Sequence, residues 1–159
     1  MIDLSDKSGI EGVEFKVLKT HHDERGFFRE IVRIDDQFYS EFGQWSHCVM
    51  YQGVIKAWHF HRNQTDWWYV GNGVIRVALH DLREKSSSYR VTTDFLMGDN
   101  QKEIAVSIPP GVAHGCKVLQ GPASLYYLTS HIYNPDDEGR LAHDDPEIGY
   151  DWLRPPSIS

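Results

Sequence analysis

The chain of 159 residues is 40% hydrophobic and 13% aromatic, which is typical of one globular domain, and we expect it to span residues 1–159. Its formal net charge of -7 excludes broad electrostatic binding to nucleic acid or to an anionic membrane surface. No apolar run approaches the roughly 20 residues of a membrane span and the N-terminus lacks the pattern of a secretory signal, so we expect a cytoplasmic location.

The first third of the chain predicts a hairpin and one helix. A strand over 13–18 precedes the charged turn at 22–26, and β-rich residues on both sides of that turn favour a hairpin. The helix is expected over 35–42, because Phe38 and Phe42 lie four residues apart and an acidic residue provides an N-cap.

From residue 45 onward, short β-rich runs alternate with Gly, Pro, Asn or Ser. This spacing predicts an antiparallel sandwich or barrel. The expected strands are 45–51, 54–61, 66–70, 74–81, 89–96, 103–108, 114–119 and 124–133. The acidic, proline-containing tail over 134–159 is expected to be irregular.

Three histidines and one acidic residue have spacings that indicate a common site. His59 and His61 lie two apart on a predicted strand, so their side chains point to the same face. Asp66 begins the next strand, and His114 follows a Pro-Gly turn. The spacings G-x5-H-x-H-x4-D-x6-G and P-x-G-x2-H resemble the two motifs of the cupin superfamily. The resemblance implies an all-β, cupin-type jelly-roll barrel with a few short helical turns.

The same four side chains form a possible metal site. Imidazole and carboxylate donors suit zinc, iron, manganese or nickel, and the spacing does not choose among them. One open alternative is therefore a metal-dependent enzyme that holds one divalent metal with His59, His61, Asp66 and His114. Five of the other six histidines are interpreted as ordinary core or surface residues: His21, His22, His47, His80 and His143.

Six further segments occur in a characteristic order. They are 23–30 (DERGFFRE), 53–60 (GVIKAWHF), 81–83 (DLR), 108–115 (IPPGVAHG), 133–135 (YNP) and 145–152 (DPEIGYDW). Their order resembles that in dTDP-4-dehydrorhamnose 3,5-epimerases. The resemblance implies a homodimer that uses no metal or other cofactor and inverts carbons beside the 4-keto group of a nucleotide-linked 6-deoxy sugar.

The resemblance also implies roles for individual residues. His59 would be the catalytic base and Tyr133 the acid on the opposite face of the sugar ring, while Asp66 stands where the family has a catalytic lysine. The positions expected to bind substrate are Arg25, Phe28, Glu30, Gln44, Lys56, His61 and His114. Two of the matched positions differ in residue type, since Lys56 stands where an arginine is usual and Trp58 where a leucine is usual.

Two departures from the family pattern bear on the chemistry. An enolate beside the base needs a positive charge or a strong hydrogen-bond donor. Exchanging a cation for an anion about 4 Å away changes that interaction by ~8 kcal/mol at an effective dielectric constant of about 20, so Asp66 cannot simply replace the lysine. The family's aspartate that orients the base has no counterpart after Trp152. Asp66, Asp144 or Asp145 could take that role.

Other functions stay open at this level. The His-x-His pair also occurs in related nucleotide-sugar 3,4-ketoisomerases, which act on the same class of substrate. A non-catalytic module that binds nucleotide sugars could keep the fold and lose the lysine.

Overall fold

The computed structural model describes residues 8–155, and the regular structure in this range consists of β-strands. The all-β prediction is confirmed. In chain order the strands are β1 Glu14–Val17, β2 Thr20–Asp23, β3 Gly26–Arg29, β4 Gln44–Met50, β5 Ile55–His61, β6 Asp66–Asp81, β7 Thr92–Gly98, β8 Ile104–Ile108, β9 Val112–Thr129 and β10 Glu138–Arg140. Between residues 8 and 155 there is no helix that is long and apolar enough to cross a membrane.

Two long antiparallel strands, β6 and β9, form the frame of the molecule. Each joins two of the predicted strands, and the pairing register between them shifts between Val70 and Ile75. Gly73 lies in this irregular stretch with a φ of +76°, and a Cβ there would lie 2.7 Å from the Cα of Ala123. Glycine therefore permits the close backbone approach at the bend.

The other strands extend this frame on both sides. The main sheet runs in the order β1-β8-β6-β9-β5-β10, while β4 pairs with β9 and β7 with β6. Strands β2 and β3 form a separate hairpin. Because β4, β5 and β6 all pair with β9, residues that are far apart in sequence face one interior space.

The segment predicted as a helix over 35–42 forms consecutive turns instead. The carboxylate of Asp36 accepts hydrogen bonds from the backbone N–H of Arg33 and from Nζ of Lys16. These hydrogen bonds stabilise a turn around Asp36, and this turn competes with helix formation. The helix prediction was wrong because four-residue spacing of two aromatic residues does not outweigh such contacts.

The tail predicted to be irregular contains one short strand. Residues of β10 pair antiparallel with His59, Phe60 and His61 of β5. Further along, Trp152 packs against the fully buried Trp58, with ring centroids 5.0 Å apart. The tail therefore covers the strand that carries two of the motif histidines.

Candidate active site

A cavity of about 320 Å³ lies among β4, β5, β6 and β9 and the segment that follows β9. It brings together seven of the ten residues predicted for the site: Gln44, Lys56, His59, His61, Asp66, His114 and Tyr133. Arg25, Phe28 and Glu30 are not among its lining residues. The motif histidines meet here because β5 pairs with β9 so that His59 lies opposite His114.

His59 is held by a carboxylate from β10. Its Nδ1 lies 2.8 Å from Oε1 of Glu138, while the Oε2 of Glu138 accepts a hydrogen bond of 3.2 Å from Arg140. Burial raises the pKa of Glu138, but the hydrogen bonds from His59 and Arg140 outweigh it, and the net shift lowers the pKa. An ionised carboxylate only accepts hydrogen bonds, so Nδ1 carries the proton and Nε2 is the free basic atom.

This contact differs from the partners that the sequence suggested for His59. The carboxylate comes from Glu138 rather than from Asp66, Asp144 or Asp145. Within residues 8–155, the hydrogen bonds received by Asp66 come from other side chains, and His59 is not among the donors.

Tyr133 lies at the mouth of the cavity, on the segment between β9 and β10. Its side chain lines the cavity and the residue is 65% exposed. The backbone N–H of Tyr133 donates to Oε1 of Gln44 at 3.1 Å, and the amide nitrogen of Gln44 donates to Ser46. Gln44 therefore fixes the backbone that carries the tyrosine.

Asp66 lies at the closed end of the cavity, where it is 4% exposed. Its carboxylate accepts hydrogen bonds from the amide nitrogen of Gln64 at 2.7 Å and from the indole N–H of Trp68 at 3.3 Å. Nε2 of His61 lies 3.9 Å from one carboxylate oxygen, and Nε2 of His114 lies 3.8 Å from the other. The nearest potential cations are thus beyond hydrogen-bonding distance.

His114 is deeply buried beside Asp66. Its Nδ1 lies 3.1 Å from the carbonyl oxygen of Val112. Desolvation lowers the pKa of His114 well below the ordinary value for histidine, and the attraction of Asp66 offsets this only in part. The imidazole is therefore neutral at pH 7.

The three remaining predicted substrate residues lie on or beside the β2–β3 hairpin. The guanidinium of Arg25 pairs with Asp23, and the carboxylate of Glu30 pairs with Arg33. Phe28 is 64% exposed and lines a second cavity of about 810 Å³, which is walled mainly by aromatic and aliphatic side chains. One chain alone therefore does not bring these residues to His59.

Sequence reasoning missed Glu138, Gln64 and Arg140 as residues of the cavity. Glu138 and Arg140 belong to the segment predicted to be irregular, so no strand pattern indicated that they would pair with β5. Gln64 lies inside the histidine motif, two residues before Asp66, and its position there was the available signal.

Residues 7–159 match the family model described as dTDP-4-dehydrorhamnose 3,5-epimerase. A spore coat polysaccharide biosynthesis protein, SpsL of Bacillus subtilis, is 44% identical over 146 residues, covering 90% of this chain and 96% of that protein. A probable low-salt glycan biosynthesis epimerase of Haloferax volcanii is 33% identical, with coverage of 90% and 94%.

Solved structures show the same similarity. A dTDP sugar isomerase from Desulfovibrio desulfuricans superposes with a TM-score of 0.86 at 27% identity, covering 91% of this chain and 92% of that one. NovW, a 4-keto-6-deoxy sugar epimerase from the novobiocin biosynthetic gene cluster of Streptomyces spheroides, gives a TM-score of 0.84 at 28% identity, with coverage of 92% and 77%.

Proposed function

Because this chain belongs to the dTDP-4-dehydrorhamnose 3,5-epimerase family, we propose that it inverts one or both carbons beside the ketone of a nucleotide-linked 4-keto-6-deoxy sugar. The observation that carries this proposal is the pair formed by His59 and Glu138 in the cavity that Tyr133 also lines. It combines an oriented base with a proton donor, which are the groups that epimerisation requires.

Epimerisation requires one proton to be removed from a carbon and one to be returned to its opposite face. Nε2 of His59 removes the proton from a carbon beside the ketone, and the electrons of the C–H bond pass to the carbonyl oxygen to form an enolate. The phenol of Tyr133 then donates its proton to the opposite face of the same carbon, which restores the ketone with inverted configuration. Glu138 stabilises the imidazolium that forms on His59. Solvent exchange returns both side chains to their starting states.

The substrate is proposed to be a dTDP sugar. Several relatives carry the name dTDP-4-dehydrorhamnose 3,5-epimerase, including one from Methanothermobacter thermautotrophicus that is 29% identical over 155 residues. Lys56 lines the cavity and is exposed, so its ammonium group can pair with a diphosphate. We also propose a cytoplasmic location, which the free thiols of Cys48 and Cys116 support.

The active unit is proposed to be a homodimer. The second cavity presents exposed apolar side chains, including Phe28, Phe42 and Trp45, at 64%, 66% and 71% exposure. Such a patch is typical of a surface that another chain covers. A second copy that docks there would also bring the β2–β3 hairpin, with Arg25 and Phe28, toward the His59 cavity of its partner.

The proposed activity is tested by incubating the full-length chain with a dTDP-4-keto-6-deoxy sugar and resolving the product by proton NMR. We expect an epimer inverted at one or both carbons beside the ketone. His59→Asn should slow its formation by ~10²–10⁴-fold, since general base catalysis contributes about that much. The exposed His143, changed to Asn, is the matched control and should leave the rate unchanged. Failure of the wild type to form any epimer would contradict the proposal.

A further inference from the structure

Three hydrogen-bond acceptors converge at the closed end of the cavity. One nitrogen each of His61 and His114 and one carboxylate oxygen of Asp66 lie within 4.8 Å of one another. Asp66 and His114 are 4% and 5% exposed. His59 is not part of this group, so the proposed base and this cluster are separate features of one cavity.

The protonation of His114 follows from its hydrogen bond. The carbonyl oxygen of Val112 can only accept, so Nδ1 of His114 carries the hydrogen. Nε2 is the ring nitrogen left to face Asp66, and it lies 3.8 Å from Oδ2. Between residues 8 and 155 that nitrogen has no hydrogen-bond donor. This nitrogen is therefore available as a ligand on the cavity side.

His61 also directs its Nε2 toward Asp66, but this nitrogen has a hydrogen-bond partner. Its Nε2 lies 3.3 Å from the amide nitrogen of Gln64, which also donates to Asp66 at 2.7 Å. The amide nitrogen is the donor in both contacts, so Nε2 of His61 is an acceptor. Its lone pair accepts the amide hydrogen of Gln64, so a bound metal would displace that hydrogen bond; the same nitrogen lies 3.9 Å from Oδ1 of Asp66.

We propose that His61, Asp66 and His114 form a binding site for one divalent transition-metal ion. Two imidazole nitrogens and one carboxylate oxygen suit zinc or iron(II). Ligand atoms around a tetrahedral ion lie about 3.3–3.6 Å apart for metal–ligand distances of about 2.0–2.2 Å. The separations of 3.9 Å from His61 to Oδ1 and 3.8 Å from His114 to Oδ2 therefore need to close by about 0.2–0.6 Å. The hydrogen bond that Nδ1 of His114 donates to the carbonyl oxygen of Val112 is the type of contact that orients a ligating imidazole.

The position of the site gives it a role in the proposed epimerisation, on which this part of the inference rests. The three ligands line the same cavity as His59 and Tyr133, and they leave coordination positions open to it. Asp66 stands where the family has a lysine, so a cation bound there restores a positive charge beside the developing enolate. The carboxylate at this position is then a metal ligand and no longer an obstacle to catalysis.

The test uses tag-free, full-length protein. We expect about one equivalent of transition metal per chain by elemental analysis. After removal of metal with a chelator, titration with cobalt(II) should give a visible absorption spectrum that saturates at one equivalent. Asp66→Asn and His61→Gln should each abolish the spectrum, while His143→Gln, at an exposed histidine outside the cavity, should retain it. Circular dichroism of the metal-free variants checks that they fold; His114→Gln replaces any variant that does not.

Two results would overturn the site: wild type that binds no cobalt(II), or folded Asp66→Asn and His61→Gln that bind it as well as wild type. Solvent deuterium exchange into the sugar distinguishes metal binding from a catalytic role of the bound metal. We expect metal-free protein to exchange on the order of 100-fold more slowly than metal-loaded protein. Equal exchange rates would keep the site and contradict its part in catalysis. Metal binding without exchange in either form would contradict the proposed epimerase function instead.

Discussion

Glu138 supplies the carboxylate that holds the proposed base, although the family pattern has an aspartate beyond Trp152 in that role. The contact is diagonal across two paired strands, since Glu138 lies opposite His61 and reaches His59. Diagonal neighbours in a sheet are within reach of long side chains. A glutamate is long enough for this contact, and its charge stabilises the imidazolium formed during proton transfer.

Replacing Glu138 with Gln should lower kcat on the order of 100-fold and leave KM nearly unchanged, because the amide keeps the shape but not the charge. Glu138→Asp should recover part of the activity, which a purely structural role would not predict. The matched control is Glu147→Gln, because the side chain of Glu147 is 78% exposed. Steady-state kinetics measure all three variants, and full activity of Glu138→Gln would contradict the assigned role.

At the residue scale the sequence predicted one site for four side chains, and all four line one cavity, although only His61, Asp66 and His114 form the close group of potential metal ligands. His59, His61, Asp66 and His114 meet because side chains alternate along a strand and β5 pairs with β9. The partner of His59 could not be predicted in the same way, because it depends on pairing between β5 and a three-residue strand that carries no β pattern of its own.

At the scale of elements, β10 depends on close approach to β5. Gly139 lies opposite Phe60, and a Cβ on Gly139 would lie 2.1 Å from the ring of Phe60. Such a distance is far inside van der Waals contact, so any larger residue must displace the ring or the strand. Because Glu138 adjoins Gly139, the position of β10 sets the position of the carboxylate that holds His59.

Gly139→Ala should therefore lower both stability and activity. Overpacking typically costs ~1–3 kcal/mol of unfolding free energy, and displacement of β10 should lengthen the contact between Glu138 and His59. Thermal unfolding and kcat measure the two effects. A second change, Phe60→Ala, makes room for the new Cβ and should restore part of the activity. A Gly139→Ala variant that matches the wild type in both measurements would contradict the proposed dependence of His59 on the position of β10.

The sequence predicted most strands and the all-β class, and its errors lie where tertiary contacts decide. The two long strands were predicted as four because glycines at 71, 73 and 121 resemble chain-reversing turns, whereas here they accompany bends and register shifts. The helix over 35–42 was replaced by turns that Asp36 stabilises with Arg33 and Lys16. Neither outcome follows from local periodicity, because both depend on neighbours distant in sequence or on side-chain hydrogen bonds.

At the scale of the whole molecule, the proposed homodimer accounts for two observations together. The chain exposes a large apolar cavity wall, and the residues Arg25, Phe28 and Glu30 are absent from the lining of the His59 cavity. A second copy that covers this wall would bury it and would supply the hairpin residues from outside. Substrate binding would then depend on assembly.

Trp45→Glu should convert the dimer to a monomer, because it places a charge in the exposed apolar surface. It should also raise KM, since the partner's hairpin is lost. Leu153→Glu is the control: Leu153 is 77% exposed and lies outside this surface. Sedimentation equilibrium at micromolar concentration reads out the mass, and a monomeric wild type with full activity would contradict the dimer.

His59 is proposed to remove a proton from a carbon beside the ketone of a nucleotide-linked sugar, and this proton transfer can be measured directly. Its most direct test is proton NMR of a dTDP-4-keto-6-deoxy sugar incubated with the protein in D2O. Wild type should exchange the proton at one or both carbons flanking the ketone, and His59→Asn should slow this exchange by ~10²-fold or more. Exchange no faster than in buffer alone, or unchanged exchange by His59→Asn, would contradict it.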